Sequence, residues 1–276
     1  MSTTGGYVPE PTPMPRTWLW IDRHVHKNGG TTVRKIMQKL RGLNVSTYYG
    51  WTGAKGLEVL LRRNVTPAWP SGTTCEVHEG VGDFMGRHMQ RIDATLRPRV
   101  ERLVLTTRVR EPTAFYVSAW LWCGEPRYWR FANRTFDWWA PRNLQANLLL
   151  RGDFRGWMDG TKRSSTYDAF DARAYATLLD RLRRFDLVWP LEAQEAGLRA
   201  LGRLLGWPAH VATRVAAVRP VAPKLGTMSG APRDHPDAER CLCNGSCDAL
   251  VAQRAPWDRQ LYAWASERWH AATGDT

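Results

Sequence analysis

Short apolar runs alternate with amphipathic segments along most of the chain. The runs WLWI, LVLTTRV and FDLVWPL, which begin at Trp18, Leu103 and Phe185, have the length and composition of buried strands. The first run is followed by apolar residues at helical spacing, at Val33, Ile36, Met37 and Leu40. We therefore predict an α/β fold in which helices flank a central parallel sheet, with ligands bound at the carboxyl ends of its strands.

Composition and periodicity divide the rest of the chain. Residues 1–16 are rich in Pro and Gly, which predicts a flexible tail before a single domain over residues 17–276. Helical periodicity is found in GLEVLLRR, residues 113–122, NLQANLLLRG, residues 172–182, EAQEAGLRALGRLLG and WDRQLYAWASERWHAA. TTCEVHEGVGDFMGRHM favours a strand followed by a turn. Residues 219–256 are rich in Pro, Gly and Cys, and we expect an irregular Cys-containing segment there.

The sequence HKNGGTT separates the first strand from the first helix. Gly29 and Gly30 allow a sharp turn and a close approach of the backbone to a ligand. The N–H groups at the helix start, the hydroxyls of Thr31 and Thr32 and the Lys27 ammonium then converge on one point, which suits a phosphate. The alternative is an ordinary glycine turn with Thr as N-cap, because short glycine motifs often occur by chance.

A second candidate anion site is RVREPTAFYVSAW. Arg110 ends a predicted buried strand, and Ser118 lies two turns into a helix that starts at Pro112. A guanidinium and a hydroxyl in this arrangement are able to hold a second phosphate through charge-assisted bonds. Taken alone, Arg110 is typical of a surface ion pair and Ser118 of a small packing residue, so the phosphate hypothesis depends on both motifs together.

Charge narrows the class of partner without selecting one. The formal net charge is +13, which favours phosphate-rich cofactors, sulfated or uronic-acid polymers, nucleic acid or an anionic membrane surface. The chain also contains 15 Trp, whose aromatic faces stack on sugars and bases as well as filling cores. A non-catalytic basic protein, lectin-like or nucleic-acid-binding, is therefore the alternative to an enzyme.

Sequons and cysteines bear on the compartment. Asn44, Asn64, Asn133 and Asn244 lie in N-x-[ST] sequons, which favours a secretory lumen with any membrane anchor outside this chain, since no apolar run is long enough to span a bilayer. Three of the five Cys lie in CLCNGSC, from Cys241 to Cys247, where the spacing predicts a disulfide-stapled loop. A zinc site is the alternative there, with His235 as the fourth ligand.

Five segments resemble the carbohydrate-type sulfotransferases that use 3′-phosphoadenosine 5′-phosphosulfate (PAPS). HVHKNGGTT resembles the family's 5′-phosphosulfate loop, H-x-P-K-T-G-G-T-T, and VREPTAFYVSAW resembles its 3′-phosphate motif, R-[DE]-P-x-x-R-x-x-S-x-[YW]. NLQANLLLRG resembles the Asn-Gln segment that follows, FDLVWPLEAQEAGLRALGRLLG resembles "yDlVgltErfeeSlrllarllG", and WDRQLYAWA resembles "lDrqLYeyA". The five matches keep the family's order from about residue 18 to residue 270.

The resemblance implies a P-loop-like three-layer sandwich that transfers the PAPS sulfonate to an acceptor hydroxyl in the Golgi lumen, without a metal. Lys27 would contact the bridging oxygen between phosphate and sulfonate. The implied cofactor-binding residues are Lys27, Asn28, Gly29, Gly30, Thr31 and Thr32 at the 5′ end, Arg110 and Ser118 at the 3′-phosphate, and Lys224 in a late basic loop. The acceptor is expected to be an anionic or neutral glycan rather than nucleic acid.

The chain departs from the family's pattern at three positions. His26 replaces the family's Pro, Asn28 replaces its usual Thr, and Phe115 stands where a second Arg is common. These departures bear on affinity and geometry more than on the assignment. A P-loop kinase is disfavoured, because the Walker motif places its Lys after the glycines whereas Lys27 precedes them.

Sulfonyl transfer also needs a base for the acceptor hydroxyl. Glu76 and His78 lie two residues apart in a predicted strand and so share one face of it. In the uronyl 2-O-sulfotransferase branch a base His occupies a similar strand end with Phe six residues later, and Phe84 has that spacing from His78. His78 is our first candidate because a neutral imidazole is poised for this work, and Glu76 is the substitute. The residues expected near the acceptor are His26, Glu79 and Asn143, with His24 as an alternative to His26.

Overall fold

The protein is built around one parallel sheet. Its computed structural model describes residues 17–41, 45–48, 51–62, 72–78, 84–123, 136–152, 169–207, 211, 215 and 247–273. The strands are β1 (Trp18–His24), β2 (Val45–Tyr48), β3 (Gly72–His78), β4 (Arg102–Val109) and β5 (Leu187–Pro190). They run parallel in the order β2-β3-β1-β4-β5, so β1 is central. The predicted α/β fold with a central parallel sheet is confirmed, whereas the predicted tail, residues 1–16, lies outside the described residues.

Helices connect and cover these strands. The longer ones are α1 (Gly30–Arg41), α2 (Trp51–Arg62), α4 (Pro112–Cys123), α6 (Leu144–Arg151), α7 (Ala172–Leu182), α8 (Gln194–Leu205), α9 (Cys247–Arg254) and α10 (Pro256–Thr273). Two short ones are α3 (Met89–Arg91) and α5 (Phe136–Trp139), and a 3₁₀ turn, Leu191–Ala193, precedes α8. The helices predicted from periodicity are all found, within a few residues of their expected bounds.

Two apolar cores lie on opposite faces of the sheet. Because side chains alternate along a strand, β1 contributes Leu19 and Ile21 to one core and Trp18 and Trp20 to the other. The second core also contains the buried faces of α1 and α8, and Trp207 packs edge-on against both β1 tryptophans. Several of the chain's many Trp therefore serve the core.

Three parts of the chain differ from the sequence-based expectation. The edge strand β2 was not predicted, since four residues with one buried side chain carry almost no pattern. The predicted turn after β3 contains helix: a π-helical turn over Phe84–His88 leads into α3, Ile92–Leu96 and Arg97–Arg99, where buried residues recur on one side. The segment predicted as irregular, 219–256, ends in a helix, α9, whose Cys247 and Val251 are buried at a spacing of four; residues 216–246 lie outside the described part.

Parallel strands bring their carboxyl ends to one edge of the sheet. The turn after β1, the end of β4 at Arg110 and the 3₁₀ turn after β5 are therefore neighbours along that edge. The N-termini of α1 and α8 start at the same edge and on the same face, because both helices pack into the second core. This edge holds the candidate site.

Candidate active site

The turn after β1 has an unusual backbone. Lys27 and Gly29 both have positive φ, 68° and 76°, and Lys27 is one of only two non-glycine residues with positive φ in the described part of the chain. The Asn28 N–H donates to the Val25 carbonyl (3.1 Å), while the N–H groups of Thr32 and Val33 turn back to the Gly29 carbonyl (3.0 and 3.2 Å). The first N–H groups of α1 have no acceptor within the helix, so they are available to an anion.

Gly30, the first residue of α1, fits only without a side chain. A Cβ at this position would lie 2.2 Å from Cε1 of the buried His24 imidazole. The imidazole therefore underlies the helix start and sets how closely the turn approaches the end of β1. His26, by contrast, is half-buried, with its ring centroid 5.8 Å from that of His24.

Arg110 joins the two candidate anion motifs directly. Its Nη1 donates to the Lys27 carbonyl oxygen at 3.1 Å, across a sequence separation of 83 residues. Burial lowers the pKa of Arg110, while the nearby carboxylates of Glu192 and Glu111 raise it. Ser118 lies half-buried in α4, two turns beyond Pro112, as predicted. Phe115, which takes the place of the family's second Arg, is fully buried in the core and presents no charge to the site.

Gln145, a buried residue that the sequence analysis did not identify, connects the turn after β1 to the second anion motif. Gln145 Oε1 accepts hydrogen bonds from Asn28 Nδ2 and from the Arg110 N–H, both at 2.8 Å, and its Nε2 donates to the Arg110 carbonyl at 2.9 Å. Asn28 Nδ2 also donates to the Arg108 carbonyl at 2.9 Å. The fully buried Asn28 side chain, which we expected near the cofactor, thus ties the turn to β4 and α6.

Helices α6 and α10 cap each other. The Asp258 carboxylate of α10 accepts from the N–H groups of Gln145 (3.1 Å) and Ala146 (2.8 Å) at the start of α6. In return, Asn143 Oδ1 accepts from the Trp257 N–H at the start of α10 (2.9 Å) and makes no cap bond to its own helix. Burial raises the pKa of Asp258 to about 7, against the lowering by the two N–H donors. Asn143, expected near the substrate, is buried in this junction.

Glu192, after β5, completes the connection between the distant motifs. Its carboxylate accepts from the Glu111 N–H and from the Tyr262 hydroxyl, both at 3.2 Å. Glu111 in turn caps α4 by accepting from the N–H groups of Thr113 and Ala114 (3.0 and 2.6 Å). All five segments that carry the family resemblance therefore meet at one edge of the sheet, through contacts between residues up to 117 positions apart.

Charged groups are buried beneath the turn. Asp22 pairs with Arg108 (2.5 Å), and Glu76 pairs with Arg34 (2.9 Å). Burial raises the pKa of Asp22, which Arg108 opposes and Glu76 reinforces. Asp22, His24 and Glu76 each place one ligand-type atom within 4.8 Å of the others. Because each carboxylate already has a guanidinium partner, the cluster is balanced in charge as an ion-pair network, and a divalent cation would add positive charge to it.

Of the residues expected to act on the acceptor, Glu76 and His78 belong to β3. The His78 backbone ends β3 opposite His24, but its side chain is outside the description. Glu79 and Lys224 also lie outside the described residues. Glu76, the substitute base, is fully buried with Arg34, so it is placed to position its neighbours rather than to meet a hydroxyl at the surface.

Other features bear on the compartment. Cys247 is disulfide-bonded, whereas Cys75 is buried and forms no disulfide; the stapled loop predicted for CLCNGSC stays a prediction, since Cys241 and Cys243 lie outside the described residues. No helix within the described ranges is both long and apolar enough to cross a bilayer.

Comparison with known proteins adds no assignment. No protein-family model matches the chain, and a search of curated proteins gave no significant match.

Proposed function

We propose that the chain is a PAPS-dependent sulfotransferase that transfers the sulfonate to a carbohydrate hydroxyl. The observation that carries this proposal is the hydrogen bond from Arg110 to the Lys27 carbonyl, which makes neighbours of the glycine turn and the second anion motif. PAPS has anionic groups at its 5′ and 3′ positions, so it requires two anion sites held at a fixed separation. A turn that binds a single phosphate would not need the second anion site.

The residues at this edge divide between the two ends of the nucleotide. The N–H groups at the start of α1, with the hydroxyls of Thr31 and Thr32, hold the 5′-phosphate, and helix polarity favours an anion there. Arg110 and Ser118 hold the 3′-phosphate, and Lys224 closes over the nucleotide. Asn28 supports this arrangement from below, through Gln145 and the Arg108 carbonyl.

Transfer requires charge balance at the leaving group and a base at the acceptor. The acceptor oxygen attacks sulfur in line, its bond to sulfur forms, and the bond from sulfur to the bridging oxygen breaks. The Lys27 ammonium stabilises the negative charge that builds on that oxygen. His78 takes the proton of the hydroxyl, since Glu76 is held by Arg34. His26 and Glu79 line the acceptor side in this scheme.

The acceptor and the compartment follow from charge and covalent chemistry. A net charge of +13 favours an anionic glycan over a neutral one, through attraction between the basic surface and carboxylate or sulfate groups. The four sequons and the Cys247 disulfide favour an oxidising secretory lumen such as that of the Golgi.

Calorimetric binding of 3′-phosphoadenosine 5′-phosphate (PAP), compared with AMP, tests the proposal. We expect micromolar binding of PAP, weaker binding of AMP, and loss of the difference in Arg110→Ala. The matched control is Arg203→Ala, which removes an exposed Arg near the far end of α8. Equal or absent binding of both nucleotides by the wild type would overturn the proposal and favour the non-catalytic polyanion-binding protein.

A further inference from the structure

The side-chain amide of a second glutamine at this edge has no hydrogen-bond partner among the described residues. Gln194, the first residue of α8, is only 4% exposed, yet neither Nε2 nor Oε1 has an acceptor or donor within the described part of the chain. Burying an amide without partners costs free energy that packing does not return. Gln145, which is equally buried, uses both of its amide atoms. The contrast favours a ligand as the partner of the Gln194 amide.

The position of Gln194 indicates which contact that is. A Cβ at Gly29 would lie 3.6 Å from Gln194 Oε1 and 2.7 Å from Cδ1 of Leu191, so the amide lies directly against the glycine turn. Helices α1 and α8 start at the same edge of the sheet and pack into the same core, and the approach of Gln194 to Gly29 brings the start of α8 to the turn that precedes α1. Two helix N-termini and an unused amide therefore meet at one point.

Such a point favours an anion. Each helix N-terminus carries partial positive charge, and an amide N–H adds a donor without adding a charge that must be desolvated. We propose that Gln194 is a further binding residue of the site: its Nε2 donates to an oxygen of the nucleotide's 5′ anionic group, which the turn holds from the other side. The identity of the ligand rests on the proposed function, whereas the anion contact rests on the geometry.

The test compares two nucleotides on matched variants. PAP carries phosphates at both ends, and adenosine 3′-monophosphate lacks the 5′ group. Gln194→Met keeps the volume and removes the amide, and Gln260→Met makes the same change at an exposed residue of α10. We expect Gln194→Met to weaken PAP binding about tenfold, the effect of one hydrogen bond to a charged group, and to leave adenosine 3′-monophosphate binding unchanged. Gln260→Met should match the wild type for both.

Thermal unfolding of the ligand-free proteins separates a binding role from a structural one. Because the amide has no partner in the part of the chain that the structure describes, Gln194→Met should unfold at the wild-type temperature or above it. A lower unfolding temperature, or an equal loss of affinity for both nucleotides, would mean a structural role and would overturn the inference. Gln194→Glu provides a second test. Its carboxylate should repel the 5′-phosphate and so weaken PAP binding more than Gln194→Met does.

The outcomes distinguish this inference from the proposed function. If the wild type binds PAP and Gln194→Met binds it equally well, the inference is wrong and the sulfotransferase proposal stands. If the wild type binds no PAP, the proposed function fails and the ligand assigned to Gln194 fails with it.

Discussion

Two buried glutamines flank the glycine turn after β1 and differ in their hydrogen bonds. Gln145, on the α6 side, accepts two hydrogen bonds, donates one through its amide, and is the second residue of a helix whose N-terminus Asp258 caps. Gln194, on the α8 side, makes none within the described chain. The first belongs to a junction whose polar groups are satisfied by the protein itself. The second lies beside the glycine turn, at the start of α8. Burial alone does not distinguish a structural side chain from a ligand-binding one, whereas its hydrogen-bond partners do.

The largest expected effect is a loss of stability on replacing Gln145, whose amide is hydrogen-bonded within the protein. Gln145→Met leaves the Arg110 N–H and carbonyl without a buried partner and removes one of the two acceptors of the Asn28 amide, and we expect the free energy of unfolding to fall by about 3–5 kcal/mol. Urea denaturation of Gln145→Met and Gln194→Met measures the difference. Comparable stability of the two variants would contradict the contrast drawn between the two glutamines.

The next effect is on the rate of sulfonate transfer and comes from Lys27, on the ligand-binding side of the turn. Lys27→Ala removes the charge expected at the bridging oxygen, and we expect the rate of sulfonate transfer to fall about 10²- to 10³-fold. PAP binding should change much less, because the backbone N–H groups of the turn remain. Single-turnover transfer from PAPS to a glycan acceptor measures the rate. Retention of the wild-type rate would remove Lys27 from the mechanism, whereas a loss confined to PAP binding would make it a binding residue.

A smaller effect is expected where the turn meets β1. Gly30→Ala places a methyl group on the His24 ring, 2.2 Å from Cε1 in the unshifted structure, and we expect a destabilisation of about 2 kcal/mol. The double variant His24→Ala/Gly30→Ala removes the clash, so the two changes should be strongly non-additive in thermal or urea unfolding. Additive effects would show that the imidazole does not limit the position of the turn.

The smallest effect, taken per pH unit, is a dependence of stability on pH. Burial raises the pKa of Asp258 to about 7 in the folded protein, above the usual value of an unfolded Asp. Between about pH 4 and pH 7 the folded state therefore binds more protons at this group, so its contribution to stability is lost as the pH rises, by up to about 1.4 kcal/mol per pH unit.

The Asp258→Asn variant isolates this term. Asp22 and Asp186, whose pKa values are also raised by burial, remain in both proteins and cancel in the comparison. The difference in unfolding free energy between the wild type and Asp258→Asn should fall as the pH rises from 4.5 to 7.5. A difference that grows over this range would mean that the two N–H donors of α6 outweigh burial.

Much of the fold was predictable because the buried elements carry strong periodic patterns. The strands at Trp18 and Leu103, the helix over residues 172–182 and the last helix were all indicated by apolar spacing, and the structure contains them. The edge strand β2 and the helical turns over residues 84–99 were not, since their buried side chains are few or follow mixed helical spacings. The glycine turn and Arg110 were found because their residue types are themselves chemical signals.

The sequence by itself determined the alternation of strands and helices and the sharp glycine turn after β1, and it predicts an anion as the ligand of that turn. These depend on local geometry and on residue chemistry, both of which are written along the chain. Only the tertiary structure decided that Arg110 contacts the Lys27 carbonyl and that Asn28 and Asn143 face the protein interior. It also decided that the Gln145 amide has hydrogen-bond partners, whereas the Gln194 amide has none among the described residues. A hydrogen bond between residues 35 to 117 positions apart depends on how the helices pack onto the sheet, and an amide in an amphipathic helix looks the same in sequence whether or not it finds a partner.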